Sequence, residues 1–160
     1  MLVTNNCYIY NHSLGKTVKC NKYNELNKRS GVIMFSKSNG DTRVLVVEGK
    51  DSGIYSFPKG KMKYYETEEQ CAIRELKEET GIELKSLTNS FKTKFGTNNY
   101  FLLYVDENKY KDFNIKDDNF EIRSVSWKTL DELKKLTCNK DLRKLINYTI
   151  PKNSHHNIEL

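Results

Sequence analysis

Apolar residues fall in short runs separated by polar turns, and one stretch keeps a long helical period. GVIMF (Gly31–Phe35) and RVLVVEG (Arg43–Gly49) are β-branched, apolar runs around the turn-rich SKSNGD. They read as adjacent core strands joined as a hairpin. IYSF (Ile54–Phe57) reads as a short strand ended by Pro58, and Pro58-Lys59-Gly60 as a tight turn. Residues 84–95 read as strand with a turn, and YFLLYV (Tyr100–Val105) is the strongest later strand signal. EIRSVSW (Glu121–Trp127) alternates, with Ile122, Val125 and Trp127 as its packed positions. The alternation slips between Ile122 and Val125, which predicts a bulge.

Cys7–Tyr10 fits a short strand, Lys16–Lys28 is basic and poorly periodic, and Lys109–Asn119 reads as a charged loop. Thr67–Thr80 reads as a helix. Thr67 is a good N-cap, Gln70 completes a capping box, and Gly81 suits a left-handed residue past the end. Ala72, Ile73, Leu76 and Thr80 share one side of that helix. Helical pattern returns at Thr129–Leu136 and Asp141–Tyr148. The order of strands, one helix, strands and final helices predicts a mixed α/β domain.

Composition narrows the class. A chain of 160 residues, 37% hydrophobic and 30% charged, suits one globular domain with a sizeable core. No apolar run reaches bilayer-spanning length, and the start, MLVTNNCYIYNHS, lacks the pattern of a secretory signal. A soluble, cytoplasmic protein without membrane association is the expectation. Cys7, Cys20, Cys71 and Cys138 form no C-x-x-C pair, so free thiols are expected rather than zinc. His155 and His156 read as tail residues. The net charge of +6 favours anionic partners.

Against that basic background, the predicted helix crowds carboxylates. Glu75, Glu78 and Glu79 sit three and four residues apart, with Glu66 just upstream. Like charges at this spacing repel, so they do nothing for the helix itself. A solvated acidic face is the simple explanation for two such acids. Three facing one way call for a cation, and Mg²⁺ or Mn²⁺ suits oxygen ligands and substrate phosphates.

The spacing from Gly60 through Glu66 to Arg74-Glu75-Leu76, Glu78-Glu79-Thr80 and Gly81-Ile82 resembles the Nudix box at every position. The resemblance implies a Nudix hydrolase fold, a mixed β-sheet sandwiched between α-helices. It also implies metal-assisted attack of water on a phosphoanhydride. In that family Glu75, Glu78 and Glu79 would hold the metals and Gly60 would lend a backbone carbonyl. Arg74 would orient an acid, and Glu66 would support the loop. The implied domain layout is an N-terminal extension over 1–29, a Nudix domain over 30–150 and a tail over 151–160.

The flanks point to a substrate. FPKGK followed by CAIRELKEETG, and FEIRSVSWKTLDEL further on, are similar to the catalytic domain of mRNA-decapping Nudix enzymes. Their strand carries a Glu that is a metal ligand and candidate general base, and Glu121 stands at the matching position. The resemblance implies capped RNA as substrate and 7-methylguanosine diphosphate plus 5′-monophosphate RNA as products. It departs at both ends: thirty residues leave no room for the family's helical regulatory domain, which compact decapping proteins of large DNA viruses also lack. Lys59 and Lys61 are candidates for phosphate or RNA, and Tyr55, Phe57, Tyr64, Tyr65 and Tyr100 for stacking on the cap. Trp127 suits the core. Leu133, Leu136, Leu142, Leu145 and Ile146 take core-like positions between Lys134, Lys135, Lys140, Arg143 and Lys144; this is equally a packed helix or an RNA track. Dinucleoside polyphosphates or diphosphoinositol polyphosphates form the alternative substrate class, and a non-catalytic RNA binder a third.

Overall fold

The structure is a computed structural model that describes residues 7–11, 16–20, 28–38, 40–115 and 121–148. His155, His156, the predicted tail, residues 21–27 of the basic segment and the end of the 109–119 loop lie outside the described residues.

Nine strands and three α-helices are described. β1 (Cys7–Asn11) and β2 (Lys16–Cys20) form an antiparallel pair of their own. The predicted β1 is present; β2 shows that the basic segment begins as a strand. The main seven-stranded sheet contains β3 (Arg29–Ser38), β4 (Asp41–Gly49), β5 (Tyr55–Ser56), β6 (Lys59–Lys61), β7 (Phe91–Phe95), β8 (Asn98–Tyr104) and β9 (Ile122–Thr129). All pairings are antiparallel except β3 with β8, so the sheet is mixed.

The predicted hairpin of β3 and β4 pairs only near its turn, from Phe35↔Val44 to Ser38↔Asp41. Beyond that the strands part and another segment enters the gap. β5 pairs with the end of β4, the Val32 amide donates to the Pro58 carbonyl at 3.1 Å, and β6 pairs with the start of β3. The turn expected at Pro58-Lys59-Gly60 is therefore a crossing from one strand to the other. This wedge places Lys59 and Gly60 at the open end of the sheet. The bulge in β9 lies at Arg123, where pairing skips from Glu48↔Ser124 to Gly49↔Ile122. Residues 84–90 are loop, and the strand expected there is confined to β7. Glu69 accounts for the loop: its Oε1 accepts the Leu87 amide at 2.7 Å, drawing the chain onto the helix.

Helices cover both faces. α1 (Glu68–Thr80) packs Ala72 and Leu76 against Val32, Met34, Leu45, Phe101 and Trp127. α2 (Leu130–Lys134) and α3 (Lys140–Tyr148) pack Leu133, Leu142, Leu145 and Ile146 against Ile33, Phe35, Val44, Val46, Phe57 and Tyr100. Alternate residues of β3 thus serve opposite cores, as the period of two in a strand requires. Among the described residues no helix is long and apolar enough to cross a membrane.

Candidate active site

α1 begins where its sequence says it should. The Thr67 side chain accepts the Gln70 amide at 3.1 Å, and the Gln70 side chain accepts the Thr67 amide at 2.9 Å. The helix stops at Gly81, whose φ of 79° is the left-handed conformation that closes a helix end at little cost for glycine. Its core face is set by Cys71, Ala72, Leu76 and Thr80. Glu75 and Glu79, one turn apart, lie at the edge of that face, while Glu78 projects outward.

Arg74 organises the acids. Its Nε donates to Glu66 Oε1 at 2.5 Å and its Nη2 to Glu66 Oε2 at 2.9 Å, a two-point clamp. Its Nη1 reaches Glu75 Oε1 at 2.6 Å and Glu78 Oε2 at 2.9 Å, and Nη2 also donates to the Lys61 carbonyl at 3.0 Å. One planar guanidinium therefore ties the loop before α1 to two acids on it, a task to which lysine is poorly suited. The Arg74 bonds, with the Lys63 amide donating to Glu66 at 2.9 Å, hold the Glu66 carboxyl down at about 2.

The opposite wall is β6. A Cβ on Gly60 would lie 2.1 Å from the Glu75 carboxylate, so any other residue there would push that carboxylate out of its present position. The Lys59 amide donates to Glu79 Oε2 at 3.1 Å. Glu79 is only 8% exposed. Burial, opposed by Lys59 but reinforced by Glu75 and Glu121, pushes its carboxyl up to about 8. Burial likewise raises Glu75, with Glu78 and Glu121 adding to the effect against Arg74. Burial lowers the Lys59 ammonium, and Arg29 lowers it further. Among the described residues no three acid, His or Cys side chains form a ready-made ligand shell. The carboxylates are turned toward Arg74 and the Lys59 amide instead.

Glu121 is exposed at the entry to β9, where its carbonyl accepts the Lys50 amide at 2.8 Å. Its charge raises both Glu75 and Glu79. The fold therefore gathers the predicted acids from the loop, α1 and the β9 entry into one electrostatic cluster.

Two candidate stacking residues are corrected by burial. Phe57 and Tyr100 are both fully buried and meet edge-on at 5.4 Å, so they are core residues with no face to offer a ligand. Tyr55 is half-buried and bonded to Glu48. Tyr64 and Tyr65 are exposed on the loop before α1. Lys61 is exposed and Lys59 half-buried. Trp127 is in the core as expected, donating its indole N–H to the Tyr110 carbonyl at 2.9 Å. α3 is packed through its leucines, with Arg143 donating to the Cys138 carbonyl at 2.6 Å.

Sequence reading missed a polar tie at the same end of the sheet. Buried Asp141 accepts the Tyr100 hydroxyl at 2.6 Å and the Asn98 amide at 2.7 Å on one oxygen. Next to Asn98, Asn99 donates to Glu68 at 3.0 Å at the start of α1. The one local signal was a charged residue on the apolar stripe of α3, four residues before Leu145.

A family model for the NUDIX domain matches residues 27–148. The chain belongs to the Nudix hydrolase family. Among curated proteins it is similar to Saccharomyces cerevisiae mRNA-decapping enzyme subunit 2, known in another strain as m7GpppN-mRNA hydrolase, with 30% identity over 105 residues. That match covers 66% of this chain and 9% of the yeast protein's length. Solved structures share the fold. The C. elegans Ap4A hydrolase binary complex superposes with a TM-score of 0.56 at 20% identity, over 75% of this chain and 92% of that one. The NUDIX domain of Shewanella oneidensis NrtR, complexed with ADP ribose, gives 0.56 at 18% identity, over 75% and 83%.

Proposed function

We propose that the protein is a divalent-cation-dependent hydrolase that cleaves the 5′ cap of RNA, releasing 7-methylguanosine diphosphate and a 5′-monophosphate RNA. The observation that carries this reading is the gathering of Glu75 and Glu79 on the helix against a strand bearing Lys59, Gly60 and Lys61. Its similarity to the yeast decapping enzyme favours capped RNA over other phosphoanhydrides.

The donor set fits Mg²⁺ or Mn²⁺. Glu75 and Glu79 are desolvated; Glu78 and Glu121 raise Glu75, and Glu75 and Glu121 raise Glu79, so a hard cation among them would relieve an electrostatic cost. Glu75, Glu78, Glu79, Glu121 and the Gly60 carbonyl would hold it. The chemistry it supplies when bound is charge neutralisation at the phosphoanhydride and a lowered pKa for water.

The protein's own groups do the rest. Arg74 fixes the direction of Glu75 and Glu78. Lys59 and Lys61 take phosphate oxygens, and the Lys59 amide keeps Glu79 pointed at the cleft. Glu121, exposed and on a separate element, accepts the proton of the attacking water. Tyr55 lies beside Glu48 at the same end of β4 and borders the nucleoside.

A substrate panel with Mg²⁺ and with Mn²⁺ tests the reading: cap-labelled RNA, free cap dinucleotide, diadenosine tetraphosphate and diphosphoinositol polyphosphates. Capped RNA should turn over fastest and yield the labelled nucleoside diphosphate. A clear preference for one of the small polyphosphates would overturn decapping and support the alternative class.

A further inference from the structure

The loop between β6 and α1 carries two adjacent aromatic side chains that are largely exposed. Tyr64 is 72% exposed and Tyr65 79% exposed, and Lys61 and Lys63 beside them are exposed as well. Single exposed aromatics are common on protein surfaces. This pair stands out because the backbone beneath it is fixed. The Met62 amide donates to the Lys28 carbonyl at 3.0 Å, and the Glu66 amide to the Lys63 carbonyl at 3.1 Å. The Lys63 amide donates to Glu66 at 2.9 Å and Arg74 to the Lys61 carbonyl at 3.0 Å. The guanidinium that orients Glu75 and Glu78 thus also holds this loop. Its side chains are presented at the rim of the acid cluster at little ordering cost on binding.

The charges point the same way. Lys28, Lys61 and Lys63 are exposed, and among the described residues none is in an ion pair. Arg29 is the strand partner of Lys61. A polyanion approaching an acidic centre needs such cations at the entrance. Planar apolar faces between cations suit single-stranded nucleic acid, because every base has a face to stack and every linkage a charge to pair. A protein-docking patch would continue into further exposed apolar residues, whereas Lys63 and Glu66 flank this pair directly and Met62, the one other apolar residue of the loop, is half-buried.

We infer that the Lys61–Glu66 loop is the platform for the RNA chain beyond the cap, with bases stacking on Tyr64 and Tyr65 and phosphates pairing with Lys61 and Lys63. The inference rests on the decapping reading and adds to it the course of the transcript.

The test uses the full chain with Tyr64→Ala and Tyr65→Ala combined, and a Tyr64→Phe, Tyr65→Phe pair that keeps the rings. Affinity for an uncapped single-stranded RNA of about 12 nucleotides is read by anisotropy, and capped RNA is followed at steady state. The Ala pair should weaken RNA binding by about tenfold or more. KM for capped RNA should rise in step and kcat change little, with thermal unfolding unaltered. The Phe pair should behave as wild type. If wild-type protein decaps RNA and the Ala pair binds and cleaves it equally well, the platform is overturned, the tyrosines fall to a protein partner and decapping stands. If small polyphosphates are preferred while RNA affinity still depends on the tyrosines, the platform stands and the decapping reading falls.

Discussion

Glu79 is a residue whose burial opposes its charge while the proposed chemistry needs that charge. Its carboxyl is buried and held up at about 8, so near neutral pH folding opposes its ionisation. Glu79→Gln keeps the acceptor for the Lys59 amide and removes the charge. Without added divalent cation, Glu79→Gln should be the more stable protein at pH 8, by on the order of 2–4 kcal/mol. Turnover should nonetheless collapse, as it should for Glu78→Gln. Thermal melts beside cap-cleavage rates check both, and full activity in either variant would dissolve the metal-site assignment. Glu121 tests a different role. Glu121→Gln removes a charge that raises Glu75 and Glu79, so the melt should stay at or slightly above wild type while single-turnover cleavage falls by about 10²–10⁴-fold, with RNA affinity preserved. A wild-type rate and pH profile would return Glu121 to a surface position.

The ion pair of Glu66 and Arg74 has the opposite sign. A carboxyl held below its ordinary value adds stability above that value and loses it as pH falls through the depressed one. With the Glu66 carboxyl at about 2 against an ordinary 4.5, and the pair screened by nearby solvent, the contribution is on the order of 1–2 kcal/mol. It is complete above pH 4.5 and disappears between 4.5 and 2. Glu66→Gln should flatten the acid limb of stability against pH in that window. An acid limb identical to wild type would mean that the clamp adds nothing to folding.

At the level of elements, the acids are useful only because three pieces of chain converge. α1 carries its own start and stop signals, but β6 reaches it only because β3 and β4 separate and admit the Tyr55–Lys61 wedge. The start of β8 then ties both helical layers, through Asn99 to Glu68 and through Asn98 and Tyr100 to Asp141. Asp141→Ala would leave a buried hydroxyl and an amide without their acceptor. The expected cost is about 2–4 kcal/mol in urea unfolding. Cleavage per folded molecule should survive, since no acid of the cluster touches Asp141. A loss of turnover at full stability would instead put Asp141 in the reaction.

For the whole molecule, charge is divided: a positive surface overall, with a negative cluster at the open end of the sheet. On the proposed decapping reading, a long polyanion would be drawn in by the first and made reactive through the second. Capped RNA should be cleaved faster than the free cap dinucleotide, and the margin should shrink as salt rises, because counterion release weakens. Equal rates on both, indifferent to salt, would favour a small-molecule substrate.

The sequence by itself determined the local parts. The capping box and Gly81 bound α1, apolar runs marked β3, β4 and β8, and the broken alternation put a bulge between Ile122 and Val125, where the structure has it at Arg123. The Nudix spacing picked out Glu75, Glu78 and Glu79 as candidates; on the folded helix Glu75 and Glu79 edge the core face while Glu78 projects outward. Only tertiary structure decided what those parts meet. Phe57 and Tyr100 read as stacking candidates because an aromatic ring suits a core and a ligand equally; packing against each other settled them as core. β6 was invisible because KGK has no strand propensity and is held by pairing with a partner about thirty residues earlier in the chain. The Asp141 tie spans more than forty residues, and the raised carboxyl of Glu79 comes from burial that no local pattern encodes. Propensity and spacing act along the chain, whereas burial, charge proximity and hydrogen-bond partnership depend on which distant segments the fold brings together.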